Sequence, residues 1–353
     1  MTACVFAIPG DITTPTGGYR YDREVLARVG AHGVAMTAFA LPGSFPIPTE
    51  ADLAETKARL GDVKAPSVLL IDGLAYGALP RELIAELSAP IVALVHHPLG
   101  HETGTPADQA ARLIENERQA LAEARAVIVT HARTAVTLRN EFDVPAEKIT
   151  VAEPGTEPRP QATGSGQSAP ALLAVGAISK RKGYDVLIRA LSRLADRPWS
   201  LTIVGATDRD PTTVSALKGL ISELKLEARI RFTGSLDEEA LNQAYRQADI
   251  FVLASHYEGY GMVLAEALAY GLPIVTTTVG VTENVPDDAA LKVPPADPER
   301  LAEALGLLID NPHRRAALAS GARLAGQALP GWDDTARLIA TVIQQVGTQE
   351  MRR

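Results

Sequence analysis

Two α/β domains, each a doubly wound parallel sheet, facing each other across a cleft, are what this sequence predicts, and three observations carry the prediction. Short β-branched or aliphatic runs alternate with longer segments of helical period, the order that builds a parallel sheet. The alternation breaks once, at a stretch dense in Gly, Ser and Pro (PRPQATGSGQSAP, residues 158–170), and then restarts. The 353 residues suffice for two hydrophobic cores, at roughly 150 residues per domain.

In the first half, strands are expected at residues 4–8, 34–39, 68–71, 91–95, 127–130 and 149–151. Between them, residues 19–29, 52–60, 81–87, 106–123 and 133–142 set apolar side chains at three- and four-residue steps, so each should be a helix with one buried face. The Gly/Ser/Pro stretch reads as an exposed linker, and the first domain is placed at 1–163, the second at 164–330. In the second half the strands are residues 171–175, 201–204, 230–232, 250–253 and 274–277, with helices near 185–194, 214–224, 238–246 and 262–270. Helical stretches at 298–309, 313–329 and 333–346 follow, and the last, within a segment 331–353, is expected to pack back on the first domain.

Composition narrows the function classes. Hydrophobic residues make up 46% and charged residues 22%, which fits a folded globular chain rather than a disordered or collagen-like one. A net charge of −8 disfavours a protein that coats nucleic acid or an anionic bilayer. Cys4 is the only cysteine, so neither an internal disulfide nor a thiolate zinc site can form, and a reducing cytoplasm fits best. The opening MTACVFAIP has no cationic flank and reads as a strand rather than a leader, and no apolar run reaches the ~20 residues of a membrane span. Any membrane contact should be peripheral, at the inner face.

In open parallel sheets ligands bind beyond the C-terminal ends of the strands. The densest signal there is Ser255-His-Tyr-Glu258-Gly-Tyr260-Gly261-Met262-Val263-Leu-Ala-Glu266, a strand end, a glycine-punctuated turn and a helix start. Free N–H groups at such a start suit an anion. Glu258 in the turn can accept bonds from hydroxyls, and Glu266, a turn into the helix, reaches another part of the same ligand. A diphosphate joining two polyhydroxylated groups fits that layout. The Gly-x-Gly within it is no dinucleotide fingerprint, because its third glycine position is Leu264.

A second constellation, Gly176-Ala-Ile-Ser-Lys180-Arg181-Lys182-Gly183, sets three cations in a strand-to-helix loop where they could neutralise that diphosphate. Gly205, and Gly234-Ser235-Leu236, end two further strands, where backbone could read a nucleobase edge. In the first half, Gly17 and Gly18, with Arg20 close behind, link strand and helix so that backbone can approach a phosphate. His96, His97 and His101 follow the fourth strand, and His131 the fifth. Pro98 and Gly100 keep His97 and His101 off one regular helical face, which disfavours a metal site. Each imidazole is open to two readings, a substrate contact or a satisfied structural histidine.

Taken together, these motifs resemble the retaining glycosyltransferases of family 4, whose GT-B fold is two facing Rossmann-like domains. Glu258-Gly-Tyr-Gly-Met-Val-Leu-Ala-Glu266 is similar to the family's Glu-x7-Glu signature, followed by ALAYGLPIV and Gly280-Val281-Thr-Glu283. Residues 293–299, 176–183 and 147–155 match further motifs, so the resemblance spans most of the chain. It implies that Glu258 holds hydroxyls of the donor sugar, Glu266 the ribose and Lys182 the diphosphate. It also implies that Gly17 and Gly18 touch the phosphates from the other side, and that His96 is the cleft histidine. Two departures stand out. Ala177 replaces the customary arginine, so Arg181 would have to supply the guanidinium, and Val281 replaces a glycine.

The function so implied is transfer of a sugar from a nucleoside-diphosphate sugar, a UDP-sugar ahead of a GDP-sugar, to a hydroxyl of a glycan, lipid or small molecule. No metal or other cofactor is expected, because no Asp-x-Asp cluster lies near the diphosphate site and the cationic loop takes the metal's part. The rival readings are a GT-B nucleotide-sugar epimerase and a non-catalytic nucleotide-sugar binding protein.

Overall fold

In a computed structural model the chain divides into two compact units, Met1–Gly155 with Pro330–Arg353, and Thr156–Leu329. The structure describes residues 1–14, 16–102, 105–279, 282 and 285–351. The loop positions Gly280, Val281 and Glu283, and Pro15 before Gly17, lie outside them.

The first unit is built on six parallel strands: β1 (Thr2–Pro9), β2 (Val34–Leu41), β3 (Val68–Asp72), β4 (Ile91–Val95), β5 (Ala126–Val129) and β6 (Ile149–Val151), in the spatial order β2-β1-β3-β4-β5-β6. Every residue of β3 and β4 is buried, as expected of strands covered on both faces, whereas β2 at the edge is exposed at several positions. The strand order reverses between β1 and β3, so the chain leaves those two neighbours in opposite directions and opens a crevice at their C-terminal ends. The helix Trp332–Met351 belongs to this unit. Thr335 Oγ1 donates to the Glu153 carbonyl at 2.6 Å and Gln344 Nε2 to the His32 carbonyl at 2.8 Å.

The second unit has β7 (Ala171–Val175), β8 (Ser200–Val204), β9 (Ile230–Gly234), β10 (Ile250–Leu253), β11 (Ile274–Thr277) and β12 (Ala290–Val293), ordered β12-β11-β10-β7-β8-β9. Its reversal lies between β7 and β10. β12 was not read from the sequence: its four residues, ALKV, carry Lys292 in the middle, and only two of them are fully buried.

The linker expectation needs correcting. Division falls after Gly155 rather than after residue 163, and the Gly/Ser/Pro stretch is tied to the second unit. Ala162 N donates to the Tyr270 carbonyl, Thr163 N to that of Arg246, and the Asp249 carboxylate accepts from Ser165 Oγ at 2.5 Å and Ala171 N at 2.8 Å. Tyr270, Arg246 and Asp249 thus satisfy a segment that has no periodicity of its own. Among the described residues no helix is long and apolar enough to cross a membrane.

Candidate functional site

At the reversal of the second sheet, two loops meet. After β7 the chain makes a short turn, Lys180–Lys182, then Gly183 opens the helix Tyr184–Ser192; after β10 it passes through Ser255 and Glu258 to Gly261, which opens the helix Met262–Ala269. The loops are stitched together. His256 N donates to the Arg181 carbonyl and Arg181 Nη1 to the Tyr257 carbonyl, each at 2.8 Å. Glu258 lies at their junction: Lys182 Nζ donates to Oε1 at 2.5 Å, Ser255 Oγ to the same oxygen at 2.6 Å, and Arg181 Nη1 stands 3.5 Å from Oε2. Burial pushes the Glu258 carboxyl up, but Lys182, then Arg181, and the two hydrogen bonds outweigh it, so its pKa falls below the usual glutamate range.

The sequence assigned the cations to a phosphate and Glu258 to hydroxyls, whereas the structure pairs them. Lys182 and Glu258 are both buried, at 9% and 5% exposed. Glu266, in the helix behind, accepts at 2.8 Å from the hydroxyl of Tyr245, whose ring stacks on Tyr270 at 5.0 Å. Tyr245 was not singled out from the sequence, since a tyrosine on the apolar face of an amphipathic helix reads as core. Tyr260, Gly261, Met262 and Val263 form the turn into the helix, whose first N–H groups have no partner within it. Gly176, Gly205 and Gly234 sit at adjacent strand ends, with Gly176 N bonded to the Val204 carbonyl and Gly205 N to that of Gly234. Ser235 and Leu236 then lead into the helix Glu238–Gln247, with Leu236 against an apolar cluster.

The first unit presents its own constellation at its own reversal. The helix expected from residue 19 begins at Gly17, capped by Thr16 Oγ1, which accepts from Tyr19 N at 3.2 Å; Gly17, Gly18 and Arg20 therefore lie in the first turn. A Cβ on Gly18 would stand 3.6 Å from His96 Cδ2, so this turn lies over the imidazole. His96 Nε2 is 3.3 Å from Asp22 Oδ1 and 3.4 Å from Asp72 Oδ2, and the Tyr21 ring meets it edge to face at 5.2 Å. Burial works against charge on His96, but hydrogen bonds to Asp22 and Asp72 and their charges override it and lift its pKa to about 10. Burial also pushes Asp22 up, to about 6, against the pull of His96. Neither aspartate was anticipated. Asp22 lies three residues before Val25 on the buried face of its helix, a spacing that could have flagged it.

The other histidines have structural partners of their own. His131 is 4% exposed and caps the helix Ala132–Glu141, its Nδ1 accepting from Arg133 N at 3.2 Å. His97 stacks edge to face on His101 at 6.2 Å, and His101 Nε2 pairs with Glu141 at 3.0 Å. The loop carrying His96 and His97 is held by Glu117, whose Oε2 accepts from Leu99 N at 2.9 Å. Burial lifts the Glu117 carboxyl to about 8, so the folded protein binds this proton more tightly than the unfolded chain does. Stability should therefore fall as pH rises from about 4.3, the unfolded value, through about 8. Glu117→Gln keeps the acceptor and cannot ionise; its Tm advantage over the parent should grow across that window and level off above it. An equal offset at all pH would refute the assignment.

Residues 156–325, nearly the whole second unit, match the family described as glycosyl transferases group 1. The chain carries a glycosyl transferases group 1 domain. Both of its loops lie within the match, and the resemblance read from the sequence is borne out at family level. A D-inositol 3-phosphate glycosyltransferase of Xylanimonas cellulosilytica is 31% identical over 247 residues, 65% of this chain and 59% of that protein. The chain thus spans less than two thirds of that curated relative's length. Among solved structures, a sucrose-phosphate synthase from Thermosynechococcus elongatus superposes with a TM-score of 0.84 at 21% identity, covering 99% of this chain and 100% of the other. HepE from Anabaena in complex with UDP-glucose gives 0.72 at 16% identity, with both chains covered fully. The group 1 domain and its companion unit have the GT-B fold.

Proposed function

We propose that the protein is a retaining glycosyltransferase that moves a sugar from a nucleoside-diphosphate sugar, a UDP-sugar first, to a hydroxyl of a glycan, lipid or small-molecule acceptor. The observation that carries this reading is the Lys182–Glu258 pair with Arg181 and Ser255, set beside the N-terminus of Met262–Ala269 at the reversal of the second sheet. A structural neighbour bound to UDP-glucose supports the choice of donor.

In this reading Glu258 accepts from sugar hydroxyls, Glu266 from the ribose, and Lys182 with Arg181 stabilises the negative charge that grows on the departing phosphate oxygen. The route is front-face: the bond from the anomeric carbon to the diphosphate breaks, the bond to the acceptor oxygen forms on the same face, and the acceptor proton passes to the leaving phosphate. Catalysis is then orientation and charge stabilisation, without metal.

NMR of the product tests it. Retained anomeric configuration and a rate untouched by EDTA are expected. An inverted centre would overturn the retaining assignment, and an epimer formed without acceptor would replace transfer by epimerisation.

A further inference from the structure

His96 sits where β4 ends, and two buried carboxylates from different elements converge on one of its nitrogens. Asp22 comes from the helix Gly17–Arg28 and is fully buried; Asp72 is the last residue of β3 and is 3% exposed. Asp72 is fixed in its own right, because its Oδ1 accepts from Leu74 N at 2.7 Å as a helix cap, which turns Oδ2 to the imidazole. Tyr21, whose hydroxyl donates to the Ala152 carbonyl at 2.8 Å, holds the ring's face, and Gly18 leaves room beside its edge. The ring has only one nitrogen facing the carboxylates, and its side chain keeps a quarter of its surface open.

We propose that Asp22 and Asp72 are positioning residues that hold His96 as an imidazolium, leaving Nδ1–H as a fixed donor to a neutral oxygen of the substrate. The inference deepens the transferase reading and rests on it for the identity of that substrate. Two carboxylates and one imidazolium leave the cluster formally one charge negative, which repels a phosphate and suits a hydroxyl or ring oxygen. A doubly protonated ring has no lone pair, so His96 cannot serve as a general base. The groups that face it are Asp22, Asp72 and Tyr21, with Tyr19 beyond them, its hydroxyl donating to the Pro9 carbonyl at 2.6 Å. Just past β5, the neutral Thr130 donates its hydroxyl to the His96 carbonyl at 3.4 Å.

The test is an NMR titration of the His96 ring, assigned by loss of its signal in His96→Gln, in the whole protein and in Asp72→Asn and Asp22→Asn. Asn keeps the cap at Leu74, so Asp72→Asn should fold; Asp22→Asn is the second variant. The parent ring should stay protonated at pH 8, and in each variant its midpoint should fall by at least about one unit, toward the ordinary imidazole value near 6.5. Transfer by Asp72→Asn should then decline as pH rises through that midpoint, while the parent does not. A parent ring already neutral at pH 7.5, midpoints unmoved in both variants, or a flat transfer profile in a variant whose ring has become neutral would overturn the proposal. So would tight binding of zinc or manganese in place of the ring proton, since these side-chain types also hold such ions. If no sugar is transferred at all, the transferase reading fails while the titration still decides the charge of His96.

Discussion

Lys182→Ala is expected to cost the protein roughly 3 to 5 kcal/mol of stability, and to lower transfer by about 10²-fold or more. The two losses have different origins. Lys182 and Glu258 side chains are 10% and 6% exposed, so truncating the lysine strands a carboxylate away from water with Arg181 at 3.5 Å and Ser255 as its remaining partners. An exposed pair of the same geometry would contribute about 0 to 1 kcal/mol, and burial is what raises the figure. Glu258 titrates below its usual range in the folded protein, so its contribution is present above the unfolded pKa and lost as pH falls through the folded one. Lys182→Ala should abolish that acid-side loss. Adding Glu258→Gln should recover much of the stability but none of the transfer, which urea unfolding and rates on the folded variant would separate. Near-normal turnover in Lys182→Ala would refute its role at the leaving group, and a stability loss under about 1 kcal/mol would refute the burial argument.

Gly183→Ala should be strongly disruptive at the site. Gly183 has φ +61°, a conformation that costs a side chain about 1 to 2 kcal/mol, and an added Cβ would lie 2.1 Å from the Ala254 carbonyl oxygen. That oxygen is backbone at the end of β10, so the clash is relieved only by moving the loop of Lys182 away from the loop of Glu258. Overpacking of this kind adds about 1 to 3 kcal/mol. Gly234→Ala is the control: φ is +73° there too, but nothing lies within 4 Å of the added carbon. Gly234→Ala should lose about 1 kcal/mol and keep most of its activity, whereas Gly183→Ala should lose several-fold more stability and nearly all transfer. Similar chemical denaturation of the two variants would remove the packing argument.

Strands and helices were legible because both faces of each sheet are covered, which makes strands such as VLLID and IVALV near-continuous apolar runs. Glu258, Lys182 and Arg181 were legible because glycines isolate them at strand ends. Their pairing was not, since 76 positions separate Lys182 from Glu258 and no local pattern links a loop after β7 to a loop after β10. Asp22 hid for another reason: one carboxylate in an amphipathic helix reads as solvated, and only the fold shows that it faces His96. The 158–170 stretch was misread because composition reports a segment's own preferences, and here the deciding groups were Asp249, Arg246 and Tyr270, far along the chain.

The first unit is made of two separate pieces of chain, and its final helix, Trp332–Met351, covers Tyr21 through Trp332 at a ring distance of 5.7 Å. Gly155 and Trp332 meet so closely that a Cβ on Gly155 would lie 2.2 Å from the Trp332 nitrogen, which marks where the chain leaves this unit and where it returns. A ribosome builds from the N-terminus, so every element of Thr156–Leu329 is available before the first unit can be completed. The half that is synthesised first is therefore the half that is finished last, and until then its sheet must wait with the seat of that helix uncovered.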